Sequence, residues 1–218
     1  MRSIVLWGAT GQARVLAEFL AALDFDVVAL VDNDPAVASF LPGVPILRGA
    51  DELAMWRREH GGEVAALVAV GGARGDERLM LQDRLASDGY VIPVAVHPRA
   101  FVARDVTPGA GSQILALAAI GAGARIGRAC IINTAAGVDH ECTLEDGVHI
   151  GPGAALAGEV FVGRSAFIGT GAVVTPRVRI GAHAIVGAGA VVVSDIPERT
   201  VAYGNPARVR RAIDGDSA

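Results

Sequence analysis

Lysine is absent: all nineteen basic residues of this 218-residue chain are arginine. That excludes a Schiff-base lysine and the phosphate-gripping lysine of a P-loop. Aromatic residues make up 5% of the chain, against 52% hydrophobic residues overall. Its cores must therefore be built from small and β-branched side chains. The two cysteines, Cys130 and Cys142, match no zinc-ligand spacing. A net charge of -4 gives no reason to expect a nucleic-acid partner. No stretch of about 18 uncharged apolar residues has membrane-helix character. The opening Met1–Val5 reads as a strand and lacks the apolar run and cleavage site of a signal peptide. The expectation is a cytoplasmic protein with no membrane partner.

What is present is a six-residue period. From Val102 to Val192 every sixth residue is Val, Ile or Leu, with Pro108 the single exception. Neither the 3.6-residue helix period nor the two-residue strand period produces that pattern. A fixed short repeat marks a solenoid, and a hexad marks a β-helix. Three hexads make one triangular coil, so residues eighteen apart stack roughly 4.8 Å from each other along the axis. The fifth place of each hexad is small and faces the core, which sends Cys130 and Cys142 inward.

The first ninety-six residues follow another rule. Apolar runs at Ser3–Trp7, Val27–Val31, Val64–Val70 and Tyr90–Val96 read as strands. Gln12–Leu23, Asp51–Glu59 and Asp76–Ser87 read as helices between them, the first with a stripe of Val15, Leu16, Phe19, Leu20 and Leu23. Alternating strands and helices predict a small parallel, Rossmann-like α/β sheet with helices on both faces. The expected division is an α/β domain over 1–96, a β-helix over 97–196 and a C-terminal cap over 197–218.

Two features carry chemistry. The first is Gly8-Ala9-Thr10-Gly11, between a strand and a helix, where backbone N–H groups can cradle a phosphate. Gln12 follows it. The third glycine of G-x-G-x-x-G is missing, with Arg14 in its neighbourhood. Asp32, with Asn33 beside it, ends the second strand, where an acidic side chain can accept bonds from a ribose or a base. Gly71 ends a third strand on the same edge. These glycines could also simply make tight turns.

The second feature is the hexad Val138-Asp139-His140-Glu141-Cys142-Thr143. Most hexads carry small residues at their second to fourth places; here an acid, a histidine and an acid are turned outward. A histidine can take a proton near neutral pH, and an adjacent carboxylate can fix its tautomer. Gly158 lies eighteen residues on, one coil away, where a glycine N–H could stabilise a developing oxyanion. His149 comes half a coil after His140 and faces either the same groove or a neighbouring copy's.

These pieces, with His97-Pro98, Asn133-Thr134, His149-Ile150 and Gly204-Asn205-Pro206-Ala207, resemble the left-handed β-helix (hexapeptide-repeat) acyltransferases. More narrowly, the chain resembles the bacterial nucleotide-sugar acetyltransferases of the bacillosamine and perosamine pathways. The sialic-acid O-acyltransferases share the layout. The resemblance implies a homotrimer acting in surface-glycan biosynthesis, with acetyl-CoA between two solenoids and no metal. It implies His140 as general base, Glu141 as its partner and Gly158 N–H as oxyanion donor. His149 and Asn133 would contact substrate or acyl donor. Gly8, Thr10, Gly11, Gln12, Asp32, Asn33 and Gly71 would bind the nucleotide sugar. Ile150, Gly169, Ala188, Asn205, Pro206 and Arg208 would meet CoA. The subgroup commonly has Gly-Gly-His-Ala-Lys where this chain has Thr10-Gly11-Gln12-Ala13-Arg14.

The expected reaction is N-acetylation of a nucleotide-linked amino sugar by direct attack on the thioester. O-acetylation of a hydroxyl would use the same residues. A γ-carbonic-anhydrase-type zinc hydratase needs a short H-x₄-H pair, and His140, His149 and His183 do not supply one. A non-catalytic nucleotide-sugar-binding protein is the remaining alternative, and the outward His140-Glu141 pair weighs against it.

Overall fold

The computed structural model describes residues 1–213. The chain begins with four parallel strands, β1 (Arg2–Trp7), β2 (Phe25–Val31), β3 (Ile46–Leu47) and β4 (Val64–Val68), in the order β3-β2-β1-β4. Between them run α1 (Gly11–Leu20), α2 (Gly49–His60) and, after β4, α3 (Gly75–Ser87). Alternation along β1 explains the layering. Ile4 and Leu6 face α1 through Leu16, Phe19 and Leu20, while Val5 and Trp7 face the side where Leu53 of α2 and Leu85 of α3 pack. The expected helices on both faces are present. Within α1, Val15 departs from the expected stripe: it is exposed, and Ala13 is buried in its place.

The hexads form a three-sided, left-handed parallel β-helix. Its first face carries Gln113–Ile114, Ile131–Ile132, His149–Ile150, Phe167–Ile168 and Ile185–Val186 as consecutive rungs. The second face runs from Phe101–Val102 to Val191–Val192, and the third from Arg125–Ile126 to Arg179–Ile180. Every rung pairs with residues eighteen positions away, such as Ile131 with His149 and His149 with Phe167. The first-place aliphatics and fifth-place small residues fill the interior, including Cys130 and Cys142 at 0% exposure. Pro108 sits where the third face would begin, beside its edge strand Arg125–Ile126. An edge tolerates proline because fewer ladder donors are needed there.

The corners repeat as strictly as the core. The fourth place of each hexad adopts positive φ from Gly111 to Gly189, and this includes the non-glycine Glu141 at 57°.

One expectation about strands is corrected. The strand expected over Tyr90–Val96 is two pieces: Val91 bridges to Ala65, whereas Ala95–Val96 pairs with Gln113–Ile114 as a rung of the first face. The tail is a hairpin, Thr200–Gly204 against Ala207–Ala212, whose first strand extends that same face beyond Ile185–Val186.

The α/β sheet packs onto the first face. Leu115 and Ile131 of the β-helix join the α1 core cluster. Arg78 of α3 is wholly buried and donates to carbonyls on both sides: Val70 and Gly72 after β4, and Ala129 and Gly147 on coil corners. The Ser165 hydroxyl donates to Asp76 at 2.6 Å across the same contact.

Candidate active site

The C-terminal ends of β2, β1 and β4 open onto a cavity of about 470 Å³ against the first face of the β-helix. Gly8, Thr10, Gly11, Gln12, Asp32, Asn33 and Gly71 all line it. The loop is held from two sides. Gly8 has φ 103° and a Cβ there would strike the Ala69 carbonyl, so the close approach of β1 and β4 requires glycine. The Asp32 carboxylate accepts from Ala9 N–H and Asp34 N–H, each at 3.0 Å. Asp32 therefore organises the glycine loop, with acceptor capacity left for a ligand. Arg74 and Glu77, ion-paired with each other, also line the cavity and were not anticipated from sequence.

His149 lines this cavity too. Its ring has fixed polarity. The Gly72 carbonyl, 3.2 Å from Nδ1, can only accept, so Nδ1 carries the proton. Asn133 Oδ1 accepts from Thr134 N–H, which turns its Nδ2 toward His149 Nε2 at 3.1 Å. Phe167, one rung on, packs edge-on at 5.2 Å. His149 and Asn133 thus sit on the first face with the glycine loop. His140 and Gly158 occupy corners between the second and third faces. One chain therefore does not bring His149 and His140 into one groove.

Burial, reinforced by the charge of Arg78, pushes the His149 pKa down to about 4 from 6.5. An unfolded chain takes up this proton near pH 6.5, and the folded chain resists it until about pH 4. Stability from this group is complete above about pH 6.5. It falls by about 3 kcal/mol as pH drops through that window, at 1.36 kcal/mol per pKa unit. Urea unfolding at pH 7 and pH 4.5 checks this, and His149→Gln is expected to flatten the difference.

At the other site, His140 and Glu141 are both exposed, and His140 Nδ1 lies 3.2 Å from Glu141 Oε2. A carboxylate accepts, so Nδ1–H donates and Nε2 keeps its lone pair. The positive φ of Glu141 turns its side chain back beside the ring. Nε2 sits directly above buried Gly158, where any Cβ would collide with the imidazole. Third-place amides of these hexads point outward. Among the described residues, those of Arg128, Thr134, His140 and Arg164 are bonded by a side-chain carboxylate or amide oxygen, and those of Ala122, Thr170, Ala182 and Ala188 have no acceptor. Among the described residues, Gly158 N–H has no acceptor. A proton acceptor and an unpaired amide donor thus occupy one outward corner. Cys142, three-dimensionally close by, points inward, its Sγ 3.2 Å from the Ala157 carbonyl, and burial pushes its thiol pKa up.

Of the residues expected to meet CoA, Ala188, Asn205, Pro206 and Arg208 are exposed. Gly169 is buried, stacked on the backbone of Ala188 one coil on. Ile150 is corrected: it is 0% exposed inside the β-helix, because a first-place side chain points into the coil while its neighbour His149 points out. Among the described residues, no helix is long and apolar enough to cross a membrane. No group of three His, Cys, Asp or Glu gathers there as metal ligands.

A family model described as bacterial transferase hexapeptide (six repeats) matches residues 159–194. The chain is similar along nearly its whole length to perosamine N-acetyltransferase from Caulobacter crescentus. That protein is 41% identical with a TM-score of 0.89, over 97% of this chain and 98% of the other; it was solved with CoA and GDP-perosamine in a variant lacking one histidine. The acetyltransferase domain of PglB from Neisseria gonorrhoeae, solved with acetyl coenzyme A, is 35% identical over 96% and 99% of the two chains, with a TM-score of 0.84. WeeI from Acinetobacter baumannii is 26% identical over 96% and 100%, with a TM-score of 0.83.

Proposed function

This chain belongs to the left-handed β-helix, hexapeptide-repeat nucleotide-sugar acetyltransferases, and we propose from that premise that it moves the acetyl group of acetyl-CoA onto the amine of a nucleotide-linked amino sugar. The observation that carries the reading is the single outward corner where His140 Nε2 keeps its lone pair beside the unpaired Gly158 N–H.

In the proposed reaction the sugar amine attacks the thioester carbonyl carbon. A C–N bond forms as negative charge moves onto the carbonyl oxygen, which Gly158 N–H stabilises. His140 Nε2 takes the proton from the amine. Glu141 holds the ring in the required tautomer and balances the imidazolium. Collapse breaks the C–S bond, and the proton passes from His140 to the departing thiolate of CoA. The nucleotide sugar would occupy the cavity between the glycine loop and the first face. CoA would run along the β-helix toward Ala188, Asn205, Pro206 and Arg208.

The oligomer is part of the proposal. The cavity lies on the first face, and His140 lies at a corner between the other two. A homotrimer would bring the His140 corner of one copy beside the cavity of the next. On the same reading we divide the chain into a nucleotide-sugar domain over 1–96, an acyltransferase β-helix over 97–196 and a tail over 197–218, and we assign the protein to the cytoplasm, where nucleotide sugars and acetyl-CoA are made.

Acetyl-CoA consumption in the presence of GDP-, UDP- or dTDP-linked amino sugars tests the reading. The expected result is rapid thioester loss with at least one of them and a trimer by light scattering. No loss with any of the three would contradict it.

A further inference from the structure

Gln12 stands where the resembled subgroup commonly has histidine, and the β-helix fixes which way its amide points. The chain of polarity starts at the Val68 carbonyl, which can only accept. Gln113, 1% exposed on the first face, donates to it through Nε2 at 2.8 Å. Gln113 Oε1 is thereby left as an acceptor, and Gln12 Nε2 donates to it at 2.7 Å. An amide has one donor end and one acceptor end. Gln12 therefore presents Oε1 to the cavity it lines, and among the described residues no donor bonds that oxygen. Reversing Gln12 would set two carbonyl oxygens against each other. Reversing Gln113 as well would leave the buried Val68 carbonyl without its donor.

The sheet order says which part of a ligand meets this oxygen. Asp32 and Asn33 end β2, the glycine loop ends β1, and Gly71 follows β4, so the cavity spans β2-β1-β4 in that order. Gln12 Oε1 and His149 Cε1 each lie 3.9 Å from where a side chain of Gly71 would begin, at the β4 end beside the β-helix. An acidic residue after the second strand suits ribose or base, and a helix N-terminus suits phosphate. The sugar remains for the β4 end. A phosphate oxygen cannot satisfy Gln12 Oε1, since both are acceptors.

We propose that Gln12 is a specificity-determining residue whose Oε1, locked by Gln113, selects a hydrogen-bond donor on the sugar, a hydroxyl or an amine, of the bound nucleotide sugar. This rests on the nucleotide-sugar reading above. A site built to bond such a donor discriminates strongly against an analogue lacking it, because the fixed acceptor is then left unmet. Unlike a histidine, the amide offers the same acceptor across the neutral pH range.

Calorimetry tests this with GDP-, UDP- and dTDP-linked amino sugars, each against its nucleoside diphosphate. If the unmutated protein binds none of the sugar nucleotides, the nucleotide-sugar reading itself fails. Given binding, Gln12→Met is expected to weaken the sugar nucleotide by about tenfold and the nucleoside diphosphate by less than about twofold. Equal weakening of both, or no weakening of either, would overturn the proposal. A second measurement needs no variant: each sugar hydroxyl is replaced in turn by fluorine, and the amine by hydrogen. One such analogue is expected to bind about tenfold or more weakly. Unchanged binding by all of them would overturn the proposal equally.

Discussion

Replacing His140 with alanine is expected to lower kcat by about 10²–10⁴-fold, the range over which a positioned general base contributes. Three features set that expectation. Glu141 Oε2 engages Nδ1 at 3.2 Å, so the reactive Nε2 is the nitrogen left with a lone pair. The ring lies over Gly158, so the base and the amide donor share one corner. Two neighbours are poorly placed to take over: Cys142 points into the coil with its thiol pKa raised, and Asp139 is bonded to the backbone N–H of His140. Because His140 is exposed at a corner and contributes nothing to the core, the variant should unfold at nearly the same temperature. Steady-state kinetics with both substrates saturating, beside a thermal melt, provide the check. Turnover within about threefold of the unmutated protein would remove His140 from the mechanism.

Gly158→Ala is expected to cost a further large factor by a different route. One methyl group there collides with the His140 imidazole and must push it aside. The displaced ring loses its alignment with the amine, and the methyl crowds the Gly158 N–H that would meet the oxyanion. Losing an oxyanion donor costs about 10²–10³-fold, and misplacing a reacting group by an ångström costs a comparable amount. The β-helix itself accepts alanine at this hexad place, as Ala116, Ala122, Ala182 and Ala188 demonstrate. A fall in kcat of about 10²-fold or more with an unchanged melting temperature is the expected pair of results. A comparable loss of stability would instead make Gly158 a structural requirement of the coil.

The register of the hexads made much of this legible. A strictly local period decides in or out for each side chain, so the inward Cys130 and Cys142 and the outward Asp139, His140 and Glu141 followed from counting. The strand–glycine loop–helix pattern likewise gathered seven residues that line one cavity. Contacts between the two parts of the chain follow no such local rule. His149 belongs with the glycine loop because the α/β sheet docks on the first face, and no spacing in the sequence announces which face that is. Arg78 reads as one more arginine on a solvated helix, yet it is buried and joins four carbonyls across the contact between the two parts. Gln113 occupies an ordinary outward place; its only signal is that it and His149 are polar on a face otherwise carrying Ile131, Phe167 and Ile185. Ile150 was grouped with His149 through adjacency in a motif, although the alternation of the same register assigns it to the core. The strand misjudged at Tyr90–Val96 lies where a strand period hands over to the hexad, and Ala95–Val96 satisfies both.

Acyl transfer to nitrogen at the His140 corner leaves a diagnostic product. Its most direct measurement is the product itself, formed from acetyl-CoA and a nucleotide-linked amino sugar, then weighed by mass spectrometry before and after hydroxylamine. The expected product is a sugar nucleotide heavier by one acetyl group that hydroxylamine does not remove, formed by the unmutated protein and nearly absent with His140→Ala. An acetyl group released by hydroxylamine, and so carried on a hydroxyl, would contradict it.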